Sequence, residues 1–195
     1  MIELDKDYWQ NRWEDGQTGW DIGYASTPLV NYFDRLDDKS LKILIPGAGN
    51  AYEGEHLHKQ GFENTYIMDI APGAIKSLKA RFPQVPDNRI IEGDFFELED
   101  QFDIIVEQTF FCALDPSLRE DYVSKMIELL KPGGILMGVL FHDALFKDHP
   151  PFGGYKEDYL PLFENKFEIL NFDIARDSIK PRQGRELFIE LKKPN

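Results

Sequence analysis

Residues 43–57 read ILIPGAGNAYEGEHL. Three apolar residues lead into Pro46, then Gly47-Ala48-Gly49, then an amphipathic stretch from Tyr52. That order predicts a strand, a tight turn and a helix. Two glycines spaced G-x-G let the backbone pass close to a ligand, and the helix start behind them offers free N–H groups. No Gly-Lys-Ser/Thr follows, which excludes a P-loop. Tyr52 stands where a dinucleotide fingerprint places a third Gly or Ala.

Outward from this turn, short apolar runs alternate with amphipathic segments. Strands are predicted at 41–46, 65–70, 89–94, 102–108 and 135–141, with helices at 52–60, 72–82 and 118–130, the last stopped by KPGG at 131–134. This alternation predicts a mostly parallel, doubly covered α/β sheet. A helix near 155–163 and two strands at 167–175 and 186–192 follow, the strands reading as an antiparallel hairpin around SIKPRQGR (178–185). Before the core, 5–14 predicts a short helix. Ser26-Thr27-Pro28 predicts a second one, with a hydroxyl N-cap, running through Leu36.

Net charge is −13, which disfavours nucleic acid and anionic membranes as partners. One cysteine, Cys112, allows no internal disulfide. The charged opening lacks the apolar centre of a signal peptide, and no apolar run approaches the ~20 residues of a membrane helix. A soluble, cytoplasmic, monomeric protein with a small-molecule partner is expected. His56 and His58, two apart on a helix, do not make a metal pair, and no metal is expected.

Asp69 closes the second predicted strand, at the distance where an acid binds ribose hydroxyls; this suits a nicotinamide dinucleotide or S-adenosylmethionine. Asp94-Phe95, closing the third, suits the adenine cradle of methyltransferases: the acid takes the exocyclic amine and the ring covers the base. Together these residues favour S-adenosylmethionine over an oxidoreductase's dinucleotide.

The chain resembles, along nearly its whole length, the thiopurine S-methyltransferase family, and within it the plant-type halide/thiol methyltransferases. The resemblance rests on Trp9, Trp13 and Trp20 before Thr27-Pro28, on the Pro-Gly-x-Gly turn, and on EGDFFEL, FDIIVEQTFFCALDP, LLKPGG and HPPFGG. It implies a Rossmann-like class I methyltransferase with a seven-stranded sheet and an N-terminal helical lid. The lid spans 1–38, the cofactor core 41–141, and the acceptor loop and hairpin 142–195 of a single domain, 1–195. It assigns Trp9, Trp13 and Trp20 to a lid over the cofactor, where a sulfonium favours aromatic faces. Gly47 and Gly49 then line its methionine part, Asp69 binds ribose, Asp94 and Phe95 hold adenine, and Gln108 sits beside the cofactor. Gln108 departs from the Arg of mammalian thiopurine enzymes and the Tyr of plant enzymes, and Phe152 replaces a Tyr of the plant branch.

The expected reaction is in-line methyl transfer to a small soft nucleophile: thiol, sulfide, thiocyanate or halide. The alternatives are a bulkier thiopurine-type acceptor or a non-catalytic cofactor-binding protein. Phe110, Phe111, Phe141, Phe152, Tyr155 and Arg185 are the candidate pocket residues. Already nucleophilic anions need no base, so no catalytic pair is required; His142 and His149 are the candidate bases for a protonated thiol.

Overall fold

The computed structural model describes residues 3–195; Met1 and Ile2, inside the expected lid boundary, lie outside the described residues. Helices α1 (Lys6–Glu14) and α2 (Thr27–Phe33) precede β1 (Ile43–Ile45), α3 (Tyr52–Lys59), β2 (Thr65–Asp69), α4 (Pro72–Arg81) and β3 (Ile90–Glu92). Then come β4 (Phe102–Gln108), α5 (Arg119–Leu129), β5 (Leu130–Phe141), α6 (Lys156–Phe163), β6 (Glu168–Ile174) and β7 (Glu186–Lys192). The seven strands lie in the order β3-β2-β1-β4-β5-β7-β6. All neighbours pair in parallel up to β5, and β7 runs antiparallel between β5 and β6.

Alternation along the central strands splits the core between two faces. Ile43, Ile45, Ile104 and Val106 pack with Leu29 and Phe33 of α2 and Leu57 of α3. Leu44 and Ile105 face the other way, toward Tyr122 and Met126 of α5 and Phe163 of α6. The strand order reverses between β1 and β4, so the carboxyl ends of these strands form the crevice where open α/β sheets bind ligands.

Three local expectations change. KPGG does not simply separate helix from strand: β5 begins at Leu130, opposite Phe102, and resumes at Ile135, opposite Ile104. The excursion between them is held by the C-terminal segment, with Gly133 N–H donating to Lys193 O at 3.0 Å and Lys193 N–H to Gly134 O at 2.8 Å. Ser26 occupies the N-cap of α2, but its hydroxyl makes no cap bond; its backbone N–H goes instead to the buried Glu53 Oε1 at 2.8 Å. Helix α2 also stops at Phe33, and Leu36 is reached by a tighter turn, its N–H on Phe33 O at 3.0 Å.

Candidate active site

The glycine turn follows β1. Gly47 and Gly49 have φ of 56° and 54°, in the left-handed region where a β-carbon is penalised. The Phe110 ring lies so close to Gly47 that any β-carbon there would overlap it. Asp69, at the end of β2, pins the turn from below: its Oδ2 accepts from Gly49 N–H and its Oδ1 from Ala71 N–H, both at 2.9 Å. Burial pushes the Asp69 carboxyl above its ordinary pKa, and the N–H bonds pull it back.

Helix α1 is capped by Asp5, whose carboxylate accepts from Tyr8 N–H at 2.9 Å. It lays Trp9 and Trp13 edge-on around Trp20, with ring centroids 5.7 and 6.3 Å from it. Contacts from several directions dock this aromatic group over the sheet. Gly73 N–H, at the start of α4, donates to Gln10 Oε1 at 2.7 Å, and Lys6 pairs with Glu92 at 3.0 Å. Asp21 takes the Asn50 amide and, at 3.2 Å, the Tyr52 hydroxyl. Arg182 donates to the Trp20 carbonyl at 3.0 Å and pairs with the buried Glu186 at 3.2 Å.

The end of β4 supplies the third wall. Glu107 is fully buried; its Oε1 accepts from the N–H groups of Phe110 and Phe111 at 2.8 and 2.9 Å. Burial pushes its carboxyl up to about 7. Thr109 has φ 57°, a strained value for a β-branched residue, and strain of this kind concentrates at functional sites. The Oε1 of Gln108 is buried without a hydrogen-bond partner. Gln108 lines a small hollow beside the glycine turn, together with Trp20, Asp21, Gly49 and Glu53. The Cys112 thiol donates to Thr109 O at 3.3 Å, and burial raises its pKa, so it is no ready nucleophile.

A cavity of about 550 Å³ lies between these parts. Trp9, Trp13, Trp20, Gly47, Gly49, Asp69 and Arg185 line it, as do Phe110 and Phe141. Sequence reading missed Arg12, Thr109 and Arg182 on its walls, and Glu107 behind them. A charged residue within the apolar run FDIIVEQ was the available signal for Glu107. Arg182 stands three residues from Arg185 on the same turn, and nothing in their spacing separates them.

Other expected residues lie elsewhere. Asp94 is turned onto its own backbone, accepting from Phe96 N–H at 2.8 Å, and Phe95 is buried behind Phe110, ring centroids 5.1 Å apart. Phe110 lines the cavity and Phe95 does not. Phe111 is a core residue packed on Tyr122, Tyr159 and Phe163. Phe152 is buried with its N–H on Cys112 O at 2.7 Å, and Tyr155 caps α6. His142 is held beside Tyr155 with its Nδ1 accepting from Lys156 N–H at 3.1 Å. None of these six expected residues lines the cavity.

The donor set fits S-adenosylmethionine: a glycine turn that a side chain would fill, an acid at the end of β2, an unpartnered buried acceptor at Gln108, and aromatic faces for a sulfonium. Among the described residues, no group of three or more His, Cys, Asp or Glu is placed to hold a metal ion, and no helix is long and apolar enough to cross a membrane. The family model for thiopurine S-methyltransferase matches residues 4–191. A probable thiol methyltransferase 2 of Arabidopsis thaliana is 28% identical over 99% of this chain and 88% of that protein. A thiopurine S-methyltransferase of Acinetobacter baylyi is 25% identical over 85% of this chain and 87% of its own length. The fold matches a TehB-like SAM-dependent methyltransferase from Corynebacterium glutamicum with a TM-score of 0.65, at 23% identity over 97% of this chain and 98% of that one. The chain belongs to the thiopurine S-methyltransferase family and is an S-adenosylmethionine-dependent methyltransferase.

Proposed function

We propose that the enzyme methylates a small soft nucleophile: a thiol, sulfide, thiocyanate or halide. One observation carries this reading. The cavity joins an apolar wall of Phe141, Leu145 and Phe146 to the guanidinium groups of Arg182 and Arg185, in a chain of net charge −13. Each guanidinium is anchored by a carboxylate, Glu186 and Asp143 respectively, so the cations are fixed in place before an anion arrives.

In this reading Trp9, Trp13 and Trp20 cover the cofactor and exclude water. Gly47 and Gly49 lie along its methionine part, Gln108 Oε1 accepts from its amino group, and Asp69 takes its ribose. Phe110 faces the adenine with Phe95 packed against it, and the exposed Asp94 accepts from the adenine's exocyclic amine. Bound there, the cofactor would supply a sulfonium methyl group: the aligned acceptor's sulfur or halide lone pair would bond to the methyl carbon as the sulfonium's bond to that carbon breaks, with S-adenosylhomocysteine as the leaving group. Alignment of this kind supplies about 7–11 kcal/mol of the barrier in favourable cases. The single unpaired cysteine suits a reducing cytoplasm.

A turnover screen with methyl-labelled cofactor tests the acceptor. Sulfide, thiocyanate, iodide, an aromatic thiol and a thiopurine are compared with a no-acceptor blank. Label on the small anions supports the reading; label on the thiopurine alone replaces it with the bulkier alternative. Cofactor binding with no label transferred to any of them sinks it.

A further inference from the structure

Two histidines stand in the loop after β5, and their hydrogen bonds separate them. His142 uses Nδ1 to accept from the Lys156 backbone N–H at 3.1 Å and lies off the cavity. His149 lines the cavity beside Phe146, its ring 4.1 Å from that phenyl ring. Its Nδ1 lies 2.9 Å from the Pro150 carbonyl oxygen. A carbonyl only accepts, so in the neutral ring Nδ1 carries the hydrogen and Nε2 keeps the lone pair. The Asp148 carboxylate lies 3.8 Å from that Nε2, on the side where an imidazolium charge would form. The His149 side chain is 37% exposed, so a proton taken inside has a way out to solvent. The other charged groups on the cavity wall are Arg12, Asp69, Arg182 and Arg185.

We propose that His149 is the general base for acceptors that arrive as neutral thiols, an inference that rests on the acceptor reading above. The S–H bond breaks, its electron pair stays on sulfur as the nucleophile, and the proton passes to Nε2 and then to water. Thiocyanate and iodide carry no such proton. The step therefore matters for thiols alone, and it widens the range of acceptors from anions to protonated thiols.

The test compares wild type with His149→Gln, whose amide keeps a donor for the Pro150 carbonyl, on an alkyl thiol and on thiocyanate. The ratio of kcat/KM for thiol over thiocyanate is expected to fall about hundredfold at neutral pH, the low end for general-base catalysis. It is expected to recover as pH rises past the thiol's own pKa. A second readout needs no turnover. Thiophenol bound at acidic pH beside S-adenosylhomocysteine should show thiolate absorbance with wild type and lose it with the variant. An unchanged ratio, or an equal loss on both acceptors, overturns the proposal and assigns His149 to packing. A wild-type enzyme inert toward both acceptors overturns the acceptor reading, and this inference with it.

Discussion

The Tyr122 hydroxyl, on α5, donates to Glu107 Oε2 at 2.5 Å, inside the core and directly behind the cavity wall. With the two backbone N–H groups on Oε1, one buried carboxylate thereby fixes the turn that carries Thr109 and Phe110. Glu107→Ala would orphan three buried donors at about 1–3 kcal/mol each. A loss of at least about 3 kcal/mol is expected by urea unfolding, with weakened cofactor binding in whatever remains folded.

The same carboxylate sets a pH dependence. Its folded-state pKa, about 7, lies above its ordinary 4.5, so between these values the folded chain holds the extra proton. Stability from this group is therefore full below about 4.5, declines as pH rises toward 7, and is flat above. Glu107→Gln should flatten that decline, which paired unfolding curves from pH 4.5 to 8 would check.

Arg182 ties the Trp20 segment, part of the proposed lid, to the sheet through the Trp20 carbonyl and Glu186. Arg182→Ala would leave the Glu186 carboxylate, only 2% exposed, without its partner. Breaking such a pair costs about 3–5 kcal/mol. Arg182→Ala/Glu186→Gln should recover much of that stability while the lid stays loose. Calorimetry should then show weak cofactor binding in a stable protein. Restored affinity in the double variant would refute the role of Arg182 as a lid tie.

Gly47 and Gly49 share a backbone conformation but not surroundings. Alanine at either pays about 1–2 kcal/mol for the left-handed backbone. At Gly49 the new β-carbon would meet Trp13 and Trp20 at ordinary contact distances of 3.6 and 3.8 Å, whereas at Gly47 it would strike Phe110. Gly47→Ala should therefore abolish measurable cofactor binding, and Gly49→Ala should weaken it about tenfold, the equivalent of about 1.4 kcal/mol. Equilibrium binding of S-adenosylhomocysteine separates the two.

Two phenylalanines divide stability from acceptor choice. Phe111, 2% exposed and off the large cavity, should lose about 3–5 kcal/mol of stability as alanine. Phe146 is 52% exposed and lines the cavity; Phe146→Ala should leave the melting temperature nearly unchanged and raise KM for apolar thiols. The reverse pattern would return Phe111 to the acceptor pocket.

The fold was legible because its signals are local. Apolar runs such as ILI and FDIIV specify strands through their own chemistry, and Gly47-Ala48-Gly49 marks the turn wherever the chain goes next. The clustering of Trp9, Trp13 and Trp20 was legible because three indoles in a polar segment need a shared surface. The acceptor wall was not. Whether Phe111 or Phe110 faces the cavity depends on a backbone turn at Thr109, and that turn is fixed by a carboxylate bound to a helix fifteen positions later in the chain. Arg182 and Arg185 differ in role only through Glu186, Trp20 and Asp143, which tertiary folding alone brings together.

All three tryptophans of the chain are in the proposed lid, and all three border the large cavity. The protein's ultraviolet emission thus comes chiefly from the wall of this cavity. Titrating a cofactor or acceptor should change the emission of indoles that border the ligand, with no label attached. Unfolding followed at the same wavelength would report undocking of the lid, while circular dichroism follows the sheet. A gap between the two transitions would measure how independently the lid moves.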